Sequence, residues 1–154
     1  VQASLLAQED ASRAVTHNKG IMNGVTALAL ALGNDTRGLE AAVHRYAGRD
    51  GSYRGLSQYE VIQKDGKNYL QGSIELPVPL GTVGGAVGVH PTAKMALRIL
   101  GIQTSSELGG IAAALGLAQN FAAISALVSE GIQHGHMRYH ANRLAYQAKQ
   151  KEQP

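Results

Sequence analysis

Lys19 stands in the run Arg13-Ala14-Val15-Thr16-His17-Asn18-Lys19-Gly20-Ile21-Met22-Asn23-Gly24, four residues ahead of Asn23. On a helix that spacing puts an ammonium and an amide on one face. Such a lysine can hydrogen-bond a carbonyl oxygen and stabilise negative charge as it develops. The plainer account is a solvated lysine near a helix break. Further on, Gly33-Asn34-Asp35 offers a carboxylate that could pair with Lys19 and tune it. As a helix cap, however, Asp35 needs no other role. Gln119-Asn120 interrupt an otherwise apolar run, and two adjacent amides there must find partners or cost free energy. Helix-to-helix hydrogen bonds and a polar ligand would each satisfy them, and the sequence leaves both open. His136 and His140 stand at i, i+4 spacing after Gly135, which invites a zinc reading. No acidic residue of the His-Glu-x-x-His kind and no third ligand accompany them, so no metal is expected. A histidine after a glycine hinge also suits a general acid near neutral pH, and an ordinary surface helix carrying histidines is the plain alternative.

These residues need elements to position them. The alanine- and leucine-rich stretch from about Ala3 to Leu32 predicts helix, with a break near Gly20 and Gly24. Gly33 ends it, and Asn34 or Asp35 caps a second helix that carries Leu39, Ala42, Val43 and Tyr46 on one face and stops near Gly48. Tyr59 to Gln63 and Tyr69 to Leu76 predict a β-hairpin, turned by Asp65-Gly66 and ended by Pro77 and Pro79. In its second strand Leu70, Ile74 and Leu76 alternate with Gln71, Ser73 and Glu75, the pattern of a half-buried strand.

The glycine-rich stretch Gly81 to Gly88 lacks the G-x-G-x-x-G order and leads to His90-Pro91, so it reads as a packing or substrate-contact loop rather than a dinucleotide fingerprint. A short helix from Thr92 to Leu100 closes at Gly101, and Thr104-Ser105-Ser106-Glu107 has the capping-box form. The long helix that follows, to about Ile132, is apolar or small on nearly every face and is expected to be buried all round. A last helix is expected from Met137 to Gln150. The fold class is α+β, helix-dominated, with one antiparallel hairpin.

The 154 residues suffice for one domain with its own core. Hydrophobic residues at 44% exclude compositional disorder, and charged residues at 16% fall below the usual quarter. That poverty of charge points to a subunit interface or a neighbouring domain. With no cysteine, disulfides and thiolate metal sites are excluded. The net charge of +3, scattered basic residues, one Phe and no Trp argue against a nucleic-acid surface. No stretch reads as membrane-spanning and no signal pattern opens the chain, which points to a cytoplasmic protein; Ser4 to Ala7 already reads as the inside of a helix, as if the chain began within a larger one.

Taken in order, the Arg13 to Gly24 run, Gly33-Asn34-Asp35, Val83-Gly84-Gly85-Ala86, His90-Pro91, Leu115 to Asn120 and Glu130 to Met137 resemble class II, bacterial-type hydroxymethylglutaryl-CoA (HMG-CoA) reductase over essentially the whole chain. The resemblance implies reduction of HMG-CoA to mevalonate and CoA with two molecules of NADPH or NADH, or the reverse reaction. It implies that Lys19 is the catalytic lysine, Asp35 the aspartate that hydrogen-bonds it, and His136 the flap histidine that protonates the departing thiolate. It also implies that Arg13, Asn23, Gln119 and Asn120 lie near the hydroxymethylglutaryl group or the network around the lysine.

On this reading residues 1–132 are the C-terminal part of the large, substrate-binding domain and 133–154 the start of the C-terminal flap. The family's catalytic glutamate and nucleotide-binding domain match nothing here, so no cofactor-binding residue is expected in this chain, and a homodimer or a second polypeptide would complete the site. The alternative is an inactive fragment, or a remnant that binds an acyl-CoA or a partner without turnover.

Overall fold

The computed structural model describes residues 1–129 together with Met137, Arg143 and Tyr146. His136, His140 and the rest of the expected flap lie outside the described residues. Met137, Arg143 and Tyr146 are helical, in keeping with the last helix expected there.

Helices α1 (Gln2–Glu9) and α2 (Ala11–Ala31) are separated at Asp10, whose carboxylate accepts hydrogen bonds from the amides of Ser12 and Arg13. The break expected near Gly20 and Gly24 is therefore misplaced: α2 runs through both. Glycine serves there as a contact surface. A Cβ on Gly24 would lie 2.7 Å from Gln119 Cγ, and one on Gly20 would lie 3.1 Å from Ala123 Cβ. From the opposite side, a Cβ on Gly116 would meet Cγ2 of Ile21 and of Val25, each at 3.0 Å. Local propensity counts against glycine in a helix by about 1 kcal/mol, and the close approach of two helices outweighs it here.

Gly33, with φ of 68°, ends α2, and Asp35 caps α3 (Thr36–Ala47) by accepting from the amides of Arg37 and Gly38. Leu39, Val43 and Ala47 form its buried face. Strands β1 (Ser57–Lys64) and β2 (Lys67–Ile74) pair antiparallel, from Ser57 opposite Ile74 to Lys64 opposite Lys67. Asp65 and Gly66 take positive φ, 52° and 71°, as a two-residue hairpin turn demands. Only the root of this hairpin is covered. Ser57 and Tyr59 are buried, whereas Val61, Tyr69 and Leu70 are exposed, so the half-buried pattern expected for the second strand holds only near Ile74.

The glycine-rich stretch contains a five-residue helix, α4 (Gly85–Val89), where a loop was expected. Then α5 (Pro91–Leu100) starts on proline and closes at Gly101 in the left-handed conformation. The capping box at Thr104 and Glu107 opens α6 (Ser105–Val128).

The core gathers Ile21, Val25, Ala29 and Leu32 of α2, Leu39 and Val43 of α3, Leu108 and Ala112 of α6, and Leu56 and Leu80 between them. Contrary to expectation, α6 is not buried all round. Leu108, Ala112, Gly116 and Asn120 form one buried stripe at i, i+4 spacing, and Ala114, Ala118, Phe121 and Ala122 are exposed. Side chains this small give no periodic signal, so the buried stripe could not be read from hydropathy. With a mean hydropathy of 1.8 over its best window, α6 is long and apolar enough by length and composition to cross a membrane, which corrects the expectation that no stretch reaches that length. Its buried stripe packs on α2, as a core helix would.

Candidate functional site

At about 100° per residue, Val15, Lys19, Asn23, Thr26, Ala27 and Leu30 fall on one outward stripe of α2. Together with Met22 they line a cleft of about 570 Å³, walled by Glu40 and His44 of α3. Lys19 and Asn23 are both exposed, side by side at i, i+4 as the sequence predicts. The α3 wall is tied in place by Thr26 Oγ1, which donates to Glu40 Oε1 at 2.9 Å. His44 Nδ1 lies 2.7 Å from the Tyr53 hydroxyl, and the two rings stack with centroids 6.1 Å apart. The flanking apolar residues are unusually bare: Leu30 is 71% and Val15 55% exposed.

The other predicted residues are not all brought to this cleft. Asp35 caps α3, and among the described residues it makes no ion pair with Lys19. It follows the C-terminal end of α2, about 18 Å along the axis from Lys19 to Ala31 alone. The two side chains cannot span that distance. Arg13 sits half-exposed in the first turn of α2, at about 120° from Lys19 around the helix. Gln119 is exposed on α6, at the seam where its Cγ closes over Gly24 next to Asn23. His136 lies outside the described residues. Among the described residues no three His, Asp or Glu side chains gather as a metal site.

Asn120 is turned inward and fully buried. Its Nδ2 donates to the carbonyl of His17 at 3.0 Å, and its Oδ1 accepts from Ser57 Oγ at 2.8 Å. His17 Nε2 completes the circuit, 2.7 Å from Ser57 Oγ. Because the serine gives its proton to Asn120, its oxygen accepts from His17, which assigns the Nε2–H tautomer. Burial, and next the Arg13 guanidinium, lower the imidazole pKa to about 4, partly offset by its hydrogen bond at Ser57. His17 is therefore neutral near pH 7, and its buried Nδ1 lone pair has no partner. Neighbouring Asn18 donates to the Arg54 carbonyl and accepts from the Leu56 amide, both at 2.9 Å. Of the two accounts open for the amides at 119 and 120, internal bonding accounts for Asn120, while Gln119 remains available to a ligand.

His17, Asn18 and Ser57 thus hold the underside of the helix whose outer face carries Lys19. Sequence reasoning passed over them, and over Glu40 and His44. Glu40 and His44 do carry a signal, their i, i+4 spacing on α3. Ser57 carries none, since its partners lie 40 and 63 positions away.

A family profile described as hydroxymethylglutaryl-coenzyme A reductase matches residues 1–141. The 3-hydroxy-3-methylglutaryl-coenzyme A reductase of Archaeoglobus fulgidus is 54% identical over 146 residues, which is 95% of this chain and 33% of that protein. A probable reductase of the same name from Borreliella burgdorferi is 45% identical over 139 residues, 90% of this chain and 31% of that one. Among solved structures, the Streptococcus pneumoniae reductase superposes with a TM-score of 0.78 at 46% identity, covering 96% of this chain and 34% of that one. A class II structure of the S. pneumoniae enzyme, described as bound to NADPH in open conformations, gives a TM-score of 0.77 at 46% identity, covering 83% of this chain and 34% of that one. The chain thus spans about a third of the length of the relatives it matches.

Proposed function

The chain belongs to the hydroxymethylglutaryl-coenzyme A reductase family, and we propose that it forms the lysine-bearing part of a cytoplasmic, NAD(P)H-dependent reductase that converts HMG-CoA to mevalonate and CoA, or the reverse. The observation that carries this reading is the outward face of α2. Lys19 and Asn23 stand together in an open cleft, available to a ligand and, among the described residues, unpaired with any carboxylate. Reduction of a thioester carbonyl makes an oxyanion, and the Lys19 ammonium is placed to meet it. Asn23, one turn on, orients the same oxygen or its neighbour. Gln119 lies at the adjoining seam and bonds the hydroxymethylglutaryl group, and Arg13 supplies a cation at the mouth. His136 protonates the departing CoA thiolate, a task suited to a group that titrates near neutrality.

The nicotinamide, when bound, supplies the reducing hydride. No residue of this chain is assigned to it: α4 in the glycine-rich stretch is a single short turn of helix, without the fingerprint of a dinucleotide loop. Its binding site belongs to the two thirds of the family's length that this chain does not span.

Asp35 pairs with the lysine of a second copy. Within one chain the two are separated by the length of α2, whereas two α2 helices laid antiparallel about a two-fold axis bring the Asp35 end of one to the Lys19 level of the other. The bare Leu30 and Val15 beside Lys19, and the low charge of the chain, support such a covered face.

The test is oxidation of NADPH and of NADH, each with HMG-CoA, by the complete polypeptide carrying this chain. Turnover that is lost on Lys19→Ala supports the reading. Tight acyl-CoA binding without turnover by the unaltered protein would overturn it in favour of a binding role.

A further inference from the structure

From His17 to Met22, Lys19 alone is exposed. The turn of α2 that carries it is gripped on its inner side by directional bonds. His17 meets Ser57 through its ring, at 2.7 Å, and Asn120 through its carbonyl, at 3.0 Å. Asn18 bridges the Arg54 carbonyl and the Leu56 amide, both at 2.9 Å. Ser57 is fully buried and stands at the node. Its Oγ accepts from His17 Nε2–H and donates to Asn120 Oδ1 at 2.8 Å, so one hydroxyl on β1 fastens α2 to α6.

This grip bears on how α2 is rotated about its own axis. Apolar contact is non-directional, whereas a hydrogen bond weakens steeply as it bends. A buried polar network whose members satisfy one another therefore holds a helix in one orientation. The tolerance is narrow. Side chains reach about 5–6 Å from a helix axis, so a roll of about 10° moves a side-chain tip by about 1 Å. A misplacement of about 1 Å at a reacting centre can cost about 100-fold in rate.

We propose that Ser57 is a positioning residue for the reduction: through His17 and Asn120 it fixes the roll of α2, and with it the place at which Lys19 presents its ammonium to the carbonyl. Being buried, Ser57 acts only through the helix. The proposal rests on the reductase reading above, in which Lys19 meets the oxyanion.

The experiment is steady-state kinetics of the complete reductase with HMG-CoA and with mevaldehyde, comparing the unaltered enzyme with Ser57→Ala, Ser57→Thr and Ser57→Cys, each with its melting temperature. Ser57→Ala removes a donor and an acceptor at once and should lower kcat roughly tenfold with both substrates, with KM changed less than about threefold. Ser57→Thr keeps the hydroxyl but adds a methyl to a filled site. Its melting temperature should fall while its kcat stays close to that of the unaltered enzyme; a merely structural role would make the two fall together. Ser57→Cys fills nearly the same space with a weak donor. It should lose less kcat than Ser57→Ala, and it carries the test should Ser57→Ala not fold. An unchanged kcat in Ser57→Ala, or in Ser57→Cys where that variant carries the test, would overturn the assignment and leave the reductase reading intact. So would a rise in KM alone, or a kcat in Ser57→Thr as low as in Ser57→Ala. No reduction by the unaltered enzyme would overturn both.

Discussion

His17 Nε2 lies 2.7 Å from Ser57 Oγ, in a buried circuit that joins α2 to β1 and, through Asn120, to α6. Three elements distant in sequence meet directly beneath the helix turn that presents Lys19. The ring is kept neutral by burial, so the circuit depends on a histidine that must not charge.

That dependence has a sign. The folded-state pKa of about 4 lies below the ordinary 6.5, so between these values the unfolded chain binds the extra proton. The stability is fully present above pH 6.5 and is lost as pH falls towards 4. The expected loss is about 2 kcal/mol by pH 5. Denaturant titrations at pH 7 and pH 5 read it directly, and in His17→Gln the difference between the two should shrink.

Lys19→Ala in the complete enzyme should lower kcat with HMG-CoA by at least about 100-fold, since on the proposed reading it removes the cation that meets the oxyanion. Reduction of mevaldehyde should fall as well, because that step makes an alkoxide at the same place. A variant that kept mevaldehyde reduction at full rate would remove Lys19 from the chemistry.

His136→Gln should separate the two substrates. No thiolate leaves when mevaldehyde is reduced, so that rate should be spared while turnover of HMG-CoA drops by about 10²-fold or more. Equal loss of both would show that His136 is not the acid for the thiolate.

The assignment of Asp35 to a partner's lysine is tested by mixing. Lys19→Ala and Asp35→Asn subunits are each expected to be inactive, and the asparagine keeps the helix cap. Refolded together, half of the dimers are mixed and one of their two sites regains both groups, giving roughly a quarter of normal activity. No recovery on mixing would overturn the pairing of Asp35 with a partner's lysine.

Gly116→Ala and Gly110→Ala make an opposed pair on α6. The first forces a Cβ to 3.0 Å from Ile21 Cγ2 and Val25 Cγ2, and should destabilise by about 1–3 kcal/mol despite its better helix propensity. The second meets nothing within 4 Å and should gain up to about 1 kcal/mol. Melting temperatures that moved together would contradict the close α2–α6 approach.

Local signals were enough for much of this chain. Asp35 reads as a cap, Asp65-Gly66 as a hairpin turn, Thr104 with Glu107 as a capping box and Lys19 with Asn23 as one helical face, because each depends on residues within a turn or two of one another. The motifs in order also determined the family. Tertiary structure decided the rest. Gly20 and Gly24 look like helix breakers until α6 lies against them, and the apolar, small-residue α6 looks uniformly buried until one stripe is selected by contact with α2. Asn120 turned inward and Gln119 outward although they are adjacent, because a helix rotates about 100° per residue and only one of them could meet Ser57. The partners of His17 and the distance from Lys19 to Asp35 are set by how whole helices pack and end, which no local pattern of residue types encodes.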